Sequence, residues 1–149
     1  MPQSLVRNVV HIVFSTKYRK PMITAAVEND LYRYIAATCL KLECYDPCVG
    51  GFRNHVHILC SLSKNDPLAT IVKKIKVASS FMMKSKHNMP NFYWQLGYAA
   101  FSVSSNRRDG VERYIRNQAW HHERQKFEQE LIKLLKAQKI EYDERYIWD

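Results

Sequence analysis

His55 and His57 stand two residues apart in the run His55 to Leu62, where apolar residues recur at every second position. A strand sends alternate side chains to opposite faces, so both imidazoles leave one face while Val56, Ile58, Cys60 and Leu62 leave the other. Two imidazoles aimed at one point make a two-ligand clip for a divalent ion. The same pair also fits ordinary surface or hydrogen-bonded histidines, so the spacing alone leaves both readings open. Tyr114 and Gln118 are four residues apart on a segment of helical character, and His121 and Gln125 continue that face. Each has a plain alternative, a half-buried aromatic for Tyr114 and a solvated helix position for Gln118.

The elements that must position these residues follow from patterning. Val9 to Thr16 alternates as a first strand, with Val10, Ile12 and Phe14 inward and His11 on the side of His55 and His57. After Pro21, Thr24 caps a helix whose apolar positions Val27, Leu31, Ile35 and Leu42 recur at helical spacing. Cys44 to Val49 leads into a Gly50-Gly51 turn, and His55 to Leu62 completes a hairpin. Asp66-Pro67 opens a second helix, made basic by Lys73, Lys74, Lys76, Lys84 and Lys86. Tyr93 to Val103 reads as a long aromatic strand, followed by a turn and a third helix from about Val111. The stripe Val111, Ile115 and Ala119 does not continue into Phe127, Leu131, Leu134 and Leu135, which predicts a break near His122.

This order defines an α+β protein of ferredoxin-like βαββαβ type: an antiparallel sheet with helices on one face, followed by a C-terminal helix carrying Tyr114. In such a fold the first and third strands are central neighbours, so His11, His55 and His57 share the face left open. The aromatic tail Ile140 to Asp149 is expected to dock.

At 149 residues, with 46% hydrophobic and 25% charged content, residues 1–149 read as one domain. Twenty-three Lys and Arg against 14 Asp and Glu leave a net charge of +9, which favours an anionic partner such as nucleic acid. Lys17, Arg19, Lys20, Arg107, Arg108, Arg113 and Arg116 add to the lysines of the second helix as phosphate-tracking candidates, with aromatics as stacking surfaces for unpaired bases. No run approaches the ~20 apolar residues of a membrane span and no secretory segment is evident, so a cytoplasmic protein is expected. Cys39, Cys44, Cys48 and Cys60 are read as free, buried thiols rather than a zinc site.

Three blocks in order carry a family likeness: HIVFSTKYRKP (His11 to Pro21), GGFRNHVHILCSL (Gly50 to Leu62) and WQLGYAAFSVSSNRRDGVERYIRNQAWHH (Trp94 to His122), followed by EYDERYIW (Glu141 to Trp148). Together they resemble the single-tyrosine transposases of prokaryotic insertion sequences, a branch of the HUH (His-hydrophobic-His) endonucleases. The resemblance implies that His55, His57 and Gln118 hold a divalent ion, Mg²⁺ with Mn²⁺ as substitute, and that Tyr114 is the nucleophile. It implies cleavage and rejoining of single-stranded DNA at hairpins through a 5′-phosphotyrosine link, with no nucleotide cofactor. A free phenol has a pKa of about 10, so such a nucleophile needs activation or a strongly polarised target. A homodimer with Tyr114 serving the partner's histidines is also implied. His11, His121 and His122 remain outer partners or DNA contacts. Two other readings are a domesticated hairpin-processing nuclease of the same family and a non-catalytic module binding single-stranded nucleic acid.

Overall fold

Alternation in the first strand, β1 (Val9–Ser15), aims Val10, Ile12 and Phe14 at one layer and Val9, His11 and Val13 at another, and all seven residues are buried. The computed structural model describes residues 2–149. β1 pairs antiparallel with β3 (His55–Ser61), matching Ile12 to Ile58 and Val13 to His57, and on its other edge with β4 (Ala99–Ser102). β2 (Tyr45–Phe52) flanks β3, giving the order β2-β3-β1-β4 with β1 and β3 central.

Helices α1 (Glu28–Lys41) and α2 (Leu68–Lys86) cover one face. Leu31, Ile35 and Cys39 of α1 and Ile71, Val72 and Ile75 of α2 pack against Val10, Ile12, Phe14, Val56, Ile58 and Cys60. The histidine face is not open. Three helical segments cover it: α3 (Arg108–Arg116), α4 (Gln118–His122) and α5 (Phe127–Ala137). Val9, Cys48 and Leu59 meet Ile115 of α3, and Val13 and Phe101 meet Phe127, Leu131 and Leu135 of α5. The reason is area: apolar side chains alternate with the histidines on this face, and leaving them wet forgoes roughly 25 cal/mol per Å².

The Gly50-Gly51 pair lies within β2, and the hairpin turns instead at Arg53-Asn54, where Arg53 has φ of 22°. Both glycines permit close approach. A Cβ on Gly51 would stand 2.2 Å from the His55 carbonyl oxygen, and one on Gly50 would stand 2.7 Å from the Ile115 carbonyl oxygen of α3. Gly50→Ala is therefore expected to push α3 off the sheet at an overpacking cost of about 1–3 kcal/mol. That lowers the melting temperature by roughly 2–10 °C for a chain of this length. An unchanged melt would show that α3 does not rest on β2.

The aromatic strand shrinks to Ala99–Ser102, with Trp94 making a lone bridge to Thr16. Phe92 and Trp94 turn into the α1/α2 core, Trp94 edge-on to Phe14 at 4.8 Å. Lys76 Nζ donates to the carbonyls of Gln95, Leu96 and Gly97, so those groups serve the loop and not a ladder. The first helix begins at Glu28 and not at Thr24, whose carbonyl closes a preceding turn to Val27 and Glu28. Helical structure breaks at Asn117 and again between His122 and Phe127, which redirects α5 across the sheet. The tail docks as its composition suggests: Tyr142, Ile147 and Trp148 pack beside α5, and the Asp149 carbonyl accepts from Gly97 N–H at 2.8 Å. All four cysteines are free and buried. Among the described residues no helix is long and apolar enough to cross a membrane.

Candidate active site

β3 presents His55 and His57 on the α3–α5 side, both fully buried. Each ring is oriented from behind. The His57 Nδ1 lies 2.8 Å from Nε2 of His11 on neighbouring β1, with the rings stacked at 5.0 Å. The His55 Nδ1 lies 2.9 Å from Asn54 Oδ1, and the Asn54 amide is fixed by donating to the Arg19 carbonyl at 3.3 Å. Orienting partners of this kind are what metal-binding imidazoles require, and both Nε2 atoms are left to face one centre.

Gln118 opens α4 directly after the irregularity at Asn117 and is buried. Its Oε1 lies 2.9 Å from His55 Nε2 and 3.0 Å from His122 Nε2, while its Nε2 donates to Glu130 Oε2 at 3.0 Å. Tyr114 ends against the same carboxylate, its hydroxyl donating to Glu130 Oε2. Its ring stands edge-on to His57 at 5.8 Å. The structure thus brings all four sequence-predicted residues, His55, His57, Tyr114 and Gln118, to one place within a single chain. Within this chain Tyr114 lies against its own His57.

Glu130 lies at the focus and was not anticipated. Its Oε1 is 3.1 Å from His57 Nε2, 3.2 Å from His122 Nε2 and 3.3 Å from His55 Nε2. The overlooked signal is positional: Glu130 falls three residues after Phe127 and four before Leu134, inside the apolar stripe of α5, where a carboxylate is out of place unless it is paired. His122 also joins the centre, whereas His121 packs beside the Tyr114 ring at 4.5 Å outside it, and His11 stays behind His57.

Burial pushes the His55 pKa down to about 4 and the His11 pKa down to about 3, so both are neutral at neutral pH. Burial works to raise the Glu130 carboxyl, but hydrogen bonds to the surrounding imidazoles outweigh it and hold the group ionised, below the usual carboxylate range. Burial, and then the negative charge of Glu130, push the Tyr114 phenol above its ordinary value.

These charges test whether the donors fit a metal. A neutral imidazole has one N–H, yet both nitrogens of His55 face acceptor oxygens, Asn54 Oδ1 on one side and Gln118 Oε1 and Glu130 Oε1 on the other. In either tautomer one contact sets lone pair against lone pair and calls for a cation. The ion pairs of the buried Glu130 are all to histidines, with no lysine or arginine among them. Hydrogen bonds offset its burial, but its charge meets no permanently cationic side chain, a counter-charge that a divalent ion would supply. Nε2 and carboxylate oxygen of His55, His122 and Glu130 lie within 4.8 Å of one another. The donor set fits a divalent ion.

Beside Tyr114 a cleft of about 830 Å³ opens between β4, α3 and α5, lined by His11, Arg107, Arg113 and Asn106 among others. Tyr114 lines the same cleft, together with Asp109.

Solved structures with this architecture include a candidate transposase from Deinococcus radiodurans R1 (22% identity, TM-score 0.63, covering 79% of this chain and 96% of that one). They also include a REP-associated tyrosine transposase bound to a REP hairpin (12% identity, TM-score 0.57, covering 82% and 73%). The fold is thus one used by tyrosine transposases. Residues 4–118 match the family described as "Transposase IS200 like", and the chain belongs to that family. No curated protein matches it. The family match stops at Gln118, so His122 and Glu130 lie beyond it.

Proposed function

We propose that this transposase cuts and rejoins one strand of DNA with Tyr114 as nucleophile, at a divalent ion held by His55, His57 and Gln118. The observation that carries the reading is the convergence of a tyrosine hydroxyl, buried imidazoles and an amide oxygen beside a basic cleft. Bound there, the ion would polarise the scissile phosphate and stabilise charge on the departing oxygen. The Tyr114 oxygen forms a bond to phosphorus as the bond to the 3′ oxygen breaks, leaving a 5′-phosphotyrosine and a free 3′-OH. The phenolic proton passes overall to the departing 3′ oxygen. Glu130 orients the hydroxyl but, held ionised, is a poor proton acceptor. Rejoining reverses these steps and needs no nucleotide, because the phosphotyrosine ester conserves the bond.

Residues 1–149 act as one unit in this reading. Single-stranded DNA hairpins are the proposed substrate, supported by the basic excess and by the hairpin carried by one structural neighbour. The non-catalytic binding module is disfavoured, because the sheet surface on which such a module stacks bases is buried under α3–α5. Incubation with labelled single-stranded hairpin DNA and a divalent ion is expected to leave DNA on the protein through denaturation. Cleavage without any attached strand would overturn the tyrosine mechanism.

Because a single chain completes the centre, we propose that each site is self-contained even if the chain forms the expected homodimer. Mixing Tyr114→Phe with His57→Ala under subunit exchange should then give no cleavage, since every site keeps one lesion. Recovered cleavage, with mixed dimers confirmed by differential tags, would show that Tyr114 reaches the partner's histidines.

A further inference from the structure

We propose that Glu130 and His122 are metal ligands alongside His55, His57 and Gln118, and that this five-donor centre binds Mn²⁺ in preference to Mg²⁺. The inference rests on the metal reading above and extends it past the segment that defines the family. The first support is spacing. Glu130 Oε1 stands 3.1–3.3 Å from Nε2 of His55, His57 and His122, and Gln118 Oε1 stands 2.9 Å from that of His55 and 3.0 Å from that of His122. Donors about 2.1 Å from one ion, at right angles, stand about 3.0 Å from each other.

The second support is charge. Glu130 is the one carboxylate among these contacts, buried on the apolar face of α5 and facing Nε2 of three histidines. Its other oxygen is engaged by Tyr114 and Gln118, so the carboxylate ties the nucleophile to the centre. His122 is held against Phe52, its ring stacked at 5.7 Å, with Nε2 directed at both Gln118 and Glu130.

Ion preference follows from the donors. Mg²⁺ dehydrates reluctantly and is ordinarily held by one or two carboxylates with several waters kept. Three imidazoles, an amide oxygen and a carboxylate displace most of that water and suit a first-row transition ion. Five protein donors leave one position of an octahedron for a phosphate oxygen.

The test is direct metal binding without DNA, read from the loss of the free Mn²⁺ signal by electron paramagnetic resonance. Wild-type chain is expected to bind one Mn²⁺, and equimolar Mg²⁺ should not displace it. Glu130→Gln and His122→Ala are each expected to weaken Mn²⁺ binding at least tenfold, the low end of what even outer partners of a metal contribute. Affinity within twofold of wild type in either variant, or displacement by equimolar Mg²⁺, would overturn the proposal. Should Mn²⁺ binding then still be lost in His57→Ala, the simpler metal site would stand. No Mn²⁺ binding by wild type would remove both readings. Circular dichroism checks that the variants fold. If either does not, wild-type chain labelled with ¹⁵N and ¹³C decides: Zn²⁺ should shift the His122 Nε2 and Glu130 carboxyl resonances, and a shift in the His55 and His57 rings alone would overturn the proposal.

Discussion

Tyr114→Phe is expected to bind hairpin DNA like the wild type and to form no covalent adduct, with single-turnover cleavage down by roughly 10⁴-fold or more, the scale on which loss of a covalent nucleophile is felt. Only the phenolic oxygen is removed, and the ring keeps its packing against His57 and His121. Glu130 Oε2 loses one donor but keeps the Gln118 amide at 3.0 Å, so the stability cost is about 1.5–3 kcal/mol, the range for a hydrogen bond to a charged group. Denaturing gels of labelled hairpin reactions read the adduct, and circular dichroism reads the fold. An adduct persisting in Tyr114→Phe would move the nucleophile to another tyrosine, with the half-exposed Tyr93 and Tyr98 the first to replace.

Chelation, or His57→Ala, is expected to remove cleavage to the limit of detection while hairpin affinity stays within a few fold. Binding and chemistry separate because affinity rests on lysines and arginines spread over the surface, whereas bond breaking depends on one buried centre. Chelation is the cleaner arm. His57→Ala also strips Glu130 of a partner at 3.1 Å and His11 of one at 2.8 Å, so its melting temperature should fall as well. Filter binding across a salt series should give the same steep slope for treated and untreated protein. Cleavage undiminished in excess chelator would remove the ion from the mechanism, and affinity lost together with cleavage would show that the ion assembles the DNA surface itself.

Much of the site was legible because its residues obey short-range periodicities. His55 and His57 share a face since strand side chains alternate, and Tyr114 and Gln118 stay close since four residues nearly complete a helical turn. Even so, the helix is interrupted at Asn117, between Arg116 and Gln118, an irregularity that periodicity did not predict. Gly50 and Gly51 were legible as glycines that matter but not as strand residues, because what forbids a Cβ at Gly50 is a helix more than sixty residues later in the chain. The aromatic run from Tyr93 looked like a strand for the opposite reason: its residue types favour sheets, yet Phe92 and Trp94 were claimed by the core behind.

The sequence by itself determined the order of elements, the inward faces of β1 and β3, and the histidine pair, because each depends on neighbours within a few residues. Its three ordered blocks also pointed to the transposase family to which the chain belongs. Only the tertiary structure decided that the histidine face is closed, that Tyr114 meets its own chain's histidines, and that Glu130 sits among them. Those outcomes hang on where the chain turns between His122 and Phe127 and on which apolar surface α5 then buries. A carboxylate on a helix looks solvated until the surface it faces is known. Here that surface is a cluster of imidazoles brought together by strand pairing and by a helix contributed from far along the chain.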